Sequence, residues 1–561
     1  MFSVLHLNRN IRSIRRSRQI VRVLVKYGFD HILELVNLSH LVARGRRLLR
    51  RRNAEIAQLA PAERVRLALE ELGPTFVKLG QVLSTRHDLL PQNYIRELAK
   101  LQDMAPSFPV EQVFEQLDQE LGAGSASLYA EFDPVPLAAA SIAQVHAARL
   151  PSGERVAVKI RRPGIVETVE TDIDVMMGLA MRAERHIPGL DLYDPVGVVK
   201  EFSRTIRREM DFTREGHTIE KFADNFKGDE TLYFPKVFWD RSAKGVLTLE
   251  FIDGIKVSDL PALERAGIDL KVIARSGAQA FLCMVMKHGF FHGDPHPGNV
   301  LILPGNIICL LDYGMVGRLD AKLRAYLADI LTAIVKRDVD EIISILLYSG
   351  EIAESPDVRS LRRDISEFID NYYELPLEEI EVSRMFMDFV ELSSTYHIKL
   401  QPDLILLAKA LVTVEGMGRI LDPQFDMMTI LRPFIEHAMK DRLAPPRIAK
   451  DLGDILMSYL NLTRTLPRDI KEIISRINRN KFKIDLEHRG LDHFIRELDK
   501  SANRVSLSLI IAALIVGSSI VIQTDKGPKL FEYPVFAFMG YSIAAIIGFW
   551  WVIAIIRSGR L

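Results

Sequence analysis

Two uncharged runs near the C-terminus constrain this chain most. "VSLSLIIAALIVGSSIVI" (Val505 to Ile522) is one, and "FAFMGYSIAAIIGFWWVIAII" (Phe536 to Ile556) is the other. A hydrocarbon core needs roughly 20 apolar residues in a helix and admits no unpaired backbone, so each run is expected to be a helix of spanning length. The connector, Gln523 to Pro534, carries Asp525, Gly527 and Pro528, which favours a hairpin. A buried helical pair in a soluble core is the competing reading. Lys500 and Arg504 precede the first run, Arg557 and Arg560 follow the second, and Lys526 and Lys529 lie between. The outer flanks are thereby slightly favoured as the cytoplasmic side, with the polar body facing the cytoplasm.

The rest of the 561 residues exceed one ordinary core. A formal net charge of +0 hides a basic N-terminus: thirteen Lys and Arg between residues 1 and 52 are opposed only by Asp30 and Glu34. Such a block suits anionic lipid. Few aromatics interleave with the arginines, so nucleic acid is not expected as a partner. No cleavable secretory signal is read here. A mitochondrial presequence ranks below a basic amphipathic helix on a bacterial inner membrane. Cys283 and Cys309 sit in apolar stretches, which fits buried thiols in a reduced compartment.

Apolar periodicity predicts helix over 55–101, interrupted at Gly73-Pro74, and a loop over 121–134. "PVPLAAASIAQVHAARL" and "ERVAVKI" read as a hairpin joined by "PSG". Helix is expected over 163–224, and strands at "LYFPKVFWD", "GVLTLEFIDG", 300–303 and 307–311. The remainder after 260 reads as mostly helical. Residues 441–504 read as basic amphipathic helices, lying on a membrane surface or serving as a solvated linker.

The chemistry concentrates in "HGDPHPGNVLILPGNIICLLDYGM" (292–315). Asp294 followed five residues later by Asn299 has the spacing of a phosphotransferase catalytic loop: an acid to orient or deprotonate a hydroxyl, and an amide oxygen for Mg²⁺. Asp312 ends an apolar strand before Tyr313-Gly314 and can hold the metal that bridges nucleotide phosphates. His292, Asp294 and His296 as a transition-metal cluster is the rival reading. Lys159 in "VAVKI" has the setting of a phosphate-contacting lysine. Leu137 to Val145 ("LAAASIAQV") stands where a glycine-rich phosphate loop would be; alanine there avoids positive φ and adds a methyl where backbone approaches phosphate, so the N–H groups and Ser141 can still face an anion but the fit to the triphosphate is expected to be altered.

Five motifs in order, "KLGQ" (78–81), the Ala-rich loop, the strand lysine, "EMD" (209–211) and "HGDPHPGN…DYG", resemble the UbiB/ABC1 (ADCK-like) atypical kinases. That resemblance implies an α+β, protein-kinase-like two-lobe fold with an added N-terminal helical segment and a C-terminal transmembrane helical hairpin. The expected division is 1–54 basic helical region, 55–125 helical extension, 126–440 kinase-like domain with its small lobe ending near 255, 441–504 amphipathic helices, and 505–556 two spans. The resemblance implies ATP (or ADP) and Mg²⁺, with Leu137, Ala138, Ala139, Ala140, Ser141, Ile142, Ala143, Gln144, Val145 and Lys159 at the nucleotide. It makes Asp294 the catalytic acid/base, and Asn299 and Asp312 the metal holders. Lys78, Gln81, Glu209, Asp211 and Glu215 form the regulatory and ion-pair set; whether Glu209 or Glu215 pairs with Lys159 is open. "LEFIDG" (249–254) resembles the segment linking the lobes.

Gly293 follows His292 where protein kinases place Arg, and no "APE" follows Gly314, so the arginine switch and the peptide platform are both missing. The implied function is a membrane-anchored ATP-dependent kinase or ATPase supporting ubiquinone biosynthesis. It would act on or beside polyprenylated precursors or their enzymes, with a homodimer allowed. A protein kinase regulating a ubiquinone-biosynthesis enzyme and a nucleotide-sensing scaffold are the alternatives.

Overall fold

A computed structural model describes residues 2–30, 56–84, 86, 90–101, 106–187, 190, 194–349, 351–352, 357–373, 381–396, 398–443, 491–524, 528–530 and 533–557. The chain divides into two compact units, Met1–Ala449 and Lys450–Leu561.

The first unit opens with helix α1 (Phe2–Lys26), then α2 (Pro61–Leu72), α3 (Pro74–Leu83), α4 (Gln92–Leu98) and α5 (Val110–Leu121). Gly73 lies between α2 and α3 at φ +98, and Pro74 starts α3, so the expected interruption is a break between two helices. Strands β1 (Glu131–Ala139), β2 (Ala143–Arg149) and β3 (Arg155–Arg161) follow. With β5 (Val246–Glu250) they form an antiparallel sheet in the order β1-β2-β3-β5. Val156, Val158 and Ile160 alternate into a core with Val113 and Leu117 of α5, which puts Lys159 on the opposite face. The predicted loop over 121–134 instead holds a short 3-10 turn at Ser125–Leu128 and the start of β1, because Phe132 packs against that core. The predicted helix over 163–224 is three helices: α6 (Ile165–His186), α7 (Pro195–Glu209) and α8 (Phe212–Asn225). Asp194 caps the second, accepting the Gly197 N–H before Pro195, and Asp211 stands at the start of the third without a side-chain capping bond.

The larger lobe has a second sheet in the order β4-β9-β8-β6, from Leu232–Tyr233, Ile307–Leu310, Val300–Leu303 and Ile255–Lys256. Its helices are α9 (Leu260–Arg265), α10 (Leu270–Leu282), α11 (Ala321–Lys336), α12 (Val339–Ser349), α13 (Val358–Tyr373), α14 (Val382–Thr395), α15 (Pro402–Leu421) and α16 (Met427–Leu443). Strands β7 (Phe290–His292) and β10 (Val316–Arg318) pair antiparallel between them. Phe281, Leu323, Leu346, Leu361 and Leu411 share one apolar core, so α15 is part of this lobe.

The basic N-terminal helix has an internal role. Ile20 and Val23 of α1 are buried against α6 and α2, while Arg15, Arg18 and Arg22 point outward. Arg16 turns inward and forks onto Asp172 of α6, with Nε–Oδ1 at 2.6 Å and a second nitrogen at 3.1 Å from Oδ2. It also donates to the Leu72 carbonyl at 2.7 Å.

The second unit contains α17 (Leu491–Thr524) and α18 (Val535–Arg557), joined past a short pairing of Lys529–Leu530 with Tyr533–Pro534. Val505–Gln523 is long and apolar enough to cross a membrane; Val535–Trp550 is a shorter apolar stretch. The two helices touch through Ser519 and Tyr541, whose hydroxyls lie 2.5 Å apart. The expected amphipathic region over 441–504 falls mostly outside the described residues, and 491–504 is one helix with the first apolar run.

Candidate active site

The site is built by three local devices. The first is the β8–β9 hairpin. Its register pairs Val300 with Leu310, and Leu311 N–H donates to the Asn299 carbonyl at 2.8 Å. Asn299 and Asp312, thirteen residues apart, therefore stand at the same end of one hairpin. Asn299 Nδ2 donates to the Asp294 carbonyl at 3.3 Å, so Oδ1 is the atom left to accept. Asp312 sits in the left-handed region at φ +55, a conformation Asp tolerates better than most residues.

The second device is the histidine latch. Buried His292 donates from Nε2 to the Leu311 carbonyl at 3.0 Å and accepts the Asp294 N–H on Nδ1 at 3.2 Å. Both ring nitrogens are used, which fixes a neutral tautomer; burial also pushes its pKa down. Exposed His296 accepts the Gly298 N–H on its own Nδ1 at 3.0 Å. Among the described residues no cluster of three His, Cys, Asp or Glu is gathered for a metal. The transition-metal reading of His292, Asp294 and His296 is thereby set aside. The oxygen donors of Asn299 and Asp312 suit Mg²⁺, which prefers few protein ligands plus phosphate oxygens.

The third device is the cation of β3. Lys159 Nζ lies 3.0 and 2.8 Å from the two carboxylate oxygens of Glu215, and 3.2 Å from Asp312 Oδ1. The open question about its partner is answered by α8. Phe212, Glu215, Gly216, Ile219 and Phe222 form its buried stripe, so Glu215 faces β3. Burial works against the Lys159 ammonium, but Asp312 and Glu215 outweigh it and hold its pKa well above the ordinary value. Asp312 is held well below the carboxylate range, first by Lys159. Its side chain is 57% exposed, so solvent softens that pull. Burial and the neighbouring Asp312 raise Glu215, against the pull of Lys159.

Other expected members separate. Glu209 pairs with Lys78 of α3, Nζ to Oε1 at 2.5 Å, rather than with Lys159. Gln81 leaves the ion-pair set: its Nε2 donates to the Leu101 carbonyl at 3.2 Å. Asp211 accepts the Thr213 hydroxyl at 2.6 Å and faces Arg214, so it too is outside the Lys159 pair. The Ala-rich segment is mostly strand; only 140–142 form the turn between β1 and β2. Ser141 is buried, and exposed Leu137 lies on the edge strand. Gln144 points inward, where its Oε1 accepts the Phe108 N–H at 2.9 Å and its amide contacts His146 Nε2 at 2.7 Å. Glu250, at the start of the linking segment, is tied by the Tyr233 hydroxyl at 2.8 Å.

One residue carried no sequence signal. Lys409 of α15 places Nζ 3.0 Å from Asp294 Oδ1. Asp403 of the same helix accepts the Arg318 N–H at 2.9 Å, and Leu406 packs against Gly293.

This arrangement matches known sequences. The ABC1 atypical kinase-like domain matches residues 100–346, the UbiB helical domain 365–426, and the ABC1/UbiB kinase-like C-terminal domain 489–557. A protein named "Probable protein kinase UbiB" from Marinobacter nauticus is 35% identical over 86% of this chain and 88% of its own length. The chain belongs to the ABC1/UbiB family. A second protein so named, from Pseudomonas paraeruginosa, is 37% identical over 82% of this chain and 88% of its own. The solved complex of Rv3197 with erythromycin from Mycobacterium tuberculosis overlays with a TM-score of 0.46 at 24% identity, covering 64% of this chain and 90% of that one. Seen against the family, α15 lies in the UbiB helical domain, and that domain supplies Lys409.

Proposed function

We propose that this ABC1/UbiB protein transfers or releases the terminal phosphoryl group of ATP beside a membrane, in support of ubiquinone biosynthesis. The observation that carries the reading is Lys159, held between Glu215 and Asp312 on the face opposite the small-lobe core. That is the arrangement a kinase-like site uses to seat nucleotide phosphates next to a metal-holding acid. Bound Mg²⁺ would neutralise charge on the phosphates, with Asn299 and Asp312 as its protein donors. The chain's own residues do the rest. Lys159 contacts the phosphates, and the 140–142 turn covers them. Asp294 orients the acceptor hydroxyl and takes its proton as the new P–O bond forms and the bond to ADP breaks.

The acceptor we favour is a lipid hydroxyl or water. No "APE" segment follows Gly314, Leu406 of α15 packs against Gly293, and Lys78–Glu209 fastens the α3 extension to α7. The apolar helices of the second unit support an anchor in a bacterial inner membrane; the two-span hairpin with the kinase-like domain in the cytoplasm is part of this proposal. The ubiquinone pathway follows from the resemblance to the ABC1/UbiB family, to which the relatives named "Probable protein kinase UbiB" also point.

The test is purified full-length protein with Mg²⁺-ATP, with and without anionic liposomes carrying a polyprenylated phenol. Phosphate release and lipid labelling are followed together. Turnover that Asp294→Asn abolishes supports the reading, and labelled lipid names the acceptor class. A strain carrying Asp312→Asn with normal ubiquinone would sink the pathway assignment.

A further inference from the structure

From His292 to Gly317 the chain contains no Lys or Arg, so the loop bearing Asp294, Asn299 and Asp312 brings no positive charge of its own. Lys159 is already shared between Glu215 and Asp312, and Lys78, whose charge also reaches Asp312, is paired with Glu209. Charge spreads over the oxygens of a transferring phosphoryl group, and preorganised cations there contribute strongly to rate.

Lys409 fills that gap geometrically. Its Nζ is 3.0 Å from Asp294 Oδ1, with side chains 40% and 32% exposed. Ion pairs that open contribute little to stability, so fold energetics do not explain the placement. The backbone carrying the lysine is held firmly, however. Ala408 and Ala410 on either side are fully buried. Asp403 bonds β10 and Leu406 covers Gly293, so α15 is docked along the loop at three-residue intervals ending at Lys409.

We propose that Lys409 is the cation for the phosphoryl group handled at Asp294, delivered from the UbiB helical domain. It pairs with Asp294 when no nucleotide is bound and swings its flexible stem onto the terminal phosphate when one arrives. Because the cation rides on a packed helix, the site needs no phosphorylated loop to complete it. This rests on the phosphotransfer reading above.

The experiment uses the full chain in liposomes with Mg²⁺-ATP. Lys409→Ala should lower kcat by about a hundredfold while KM for ATP changes little. Lys409→Arg should retain most of the rate, and added methylammonium should restore part of it to Lys409→Ala but none to Asp294→Asn. An unchanged kcat in Lys409→Ala overturns the proposal. So does equal loss in the Ala and Arg variants without amine rescue, which would mark a packing role. A wild-type protein that neither releases nor transfers phosphate removes the phosphotransfer reading itself, and the role of Lys409 with it.

Discussion

A Cβ on Gly293 would stand 2.9 Å from Leu406 Cδ2 and 3.2 Å from its Cγ. The position where protein kinases carry Arg is thus closed by a helix that also supplies Lys409 to the neighbouring acid. Absence of the arginine and presence of α15 are two sides of one packing arrangement.

Gly293→Arg should therefore push α15 away. The expected cost is about 2 kcal/mol of stability, as for other overpacked sites, together with loss of turnover. Adding Leu406→Ala should recover part of the stability. Thermal unfolding of the single and double variants reads both effects, and an unperturbed Gly293→Arg protein would contradict the contact.

Lys159→Met leaves the buried Glu215 carboxylate, 7% exposed, without its cation. A loss of about 3 kcal/mol is expected, with nucleotide binding abolished. Glu215→Gln should cost less, since Lys159 retains Asp312. Chemical denaturation and titration of a fluorescent ATP analogue check the order; the reverse order would count against the described pairing.

Arg16→Ala strands Asp172, whose side chain has no solvent exposure. The expected cost is about 3 kcal/mol, with proteolytic release of α1. A paired Arg16→Met, Asp172→Leu variant should restore most of the loss, because an apolar pair removes the unpaired buried charge. Limited proteolysis reports the release and thermal unfolding the energy.

His292 gives a pH dependence. Burial holds its pKa below the ordinary imidazole value, and His146 is shifted the same way for the same first reason. The folded state thus favours the neutral rings. Their stabilisation is full above about pH 6.5 and is lost as pH falls through the folded-state values. The melting temperature should hold above about pH 6.5 and drop as pH falls below it, and His292→Gln should flatten that slope without abolishing it. An identical slope in the variant would show that His292 does not titrate on unfolding.

Much of the site was legible because its parts are local. The spacing of Asp294 and Asn299 marks a catalytic loop, Asp312 closes an apolar strand, and the Val-rich run puts Lys159 in a strand; the shared hairpin end and the core opposite Lys159 come from packing. The choice between Glu209 and Glu215 was harder. Both are charges near apolar stripes, and only the packing of α8 on β3 shows which one is turned inward. Motif membership groups Gln81 and Asp211 with the regulatory and ion-pair residues, and packing directs their side chains to the Leu101 carbonyl and the Thr213 hydroxyl.

The sequence alone determined what depends on neighbours along the chain: the two uncharged helices, the strand lysine, the acid–amide–acid spacing and the break at Gly73-Pro74. Tertiary structure alone decided what depends on surfaces meeting. Arg16 finds Asp172 across 156 positions, and Lys409 finds Asp294 across 115. A lysine between alanines on an apolar helix looks like any solvated charge until packing fixes what its ammonium faces.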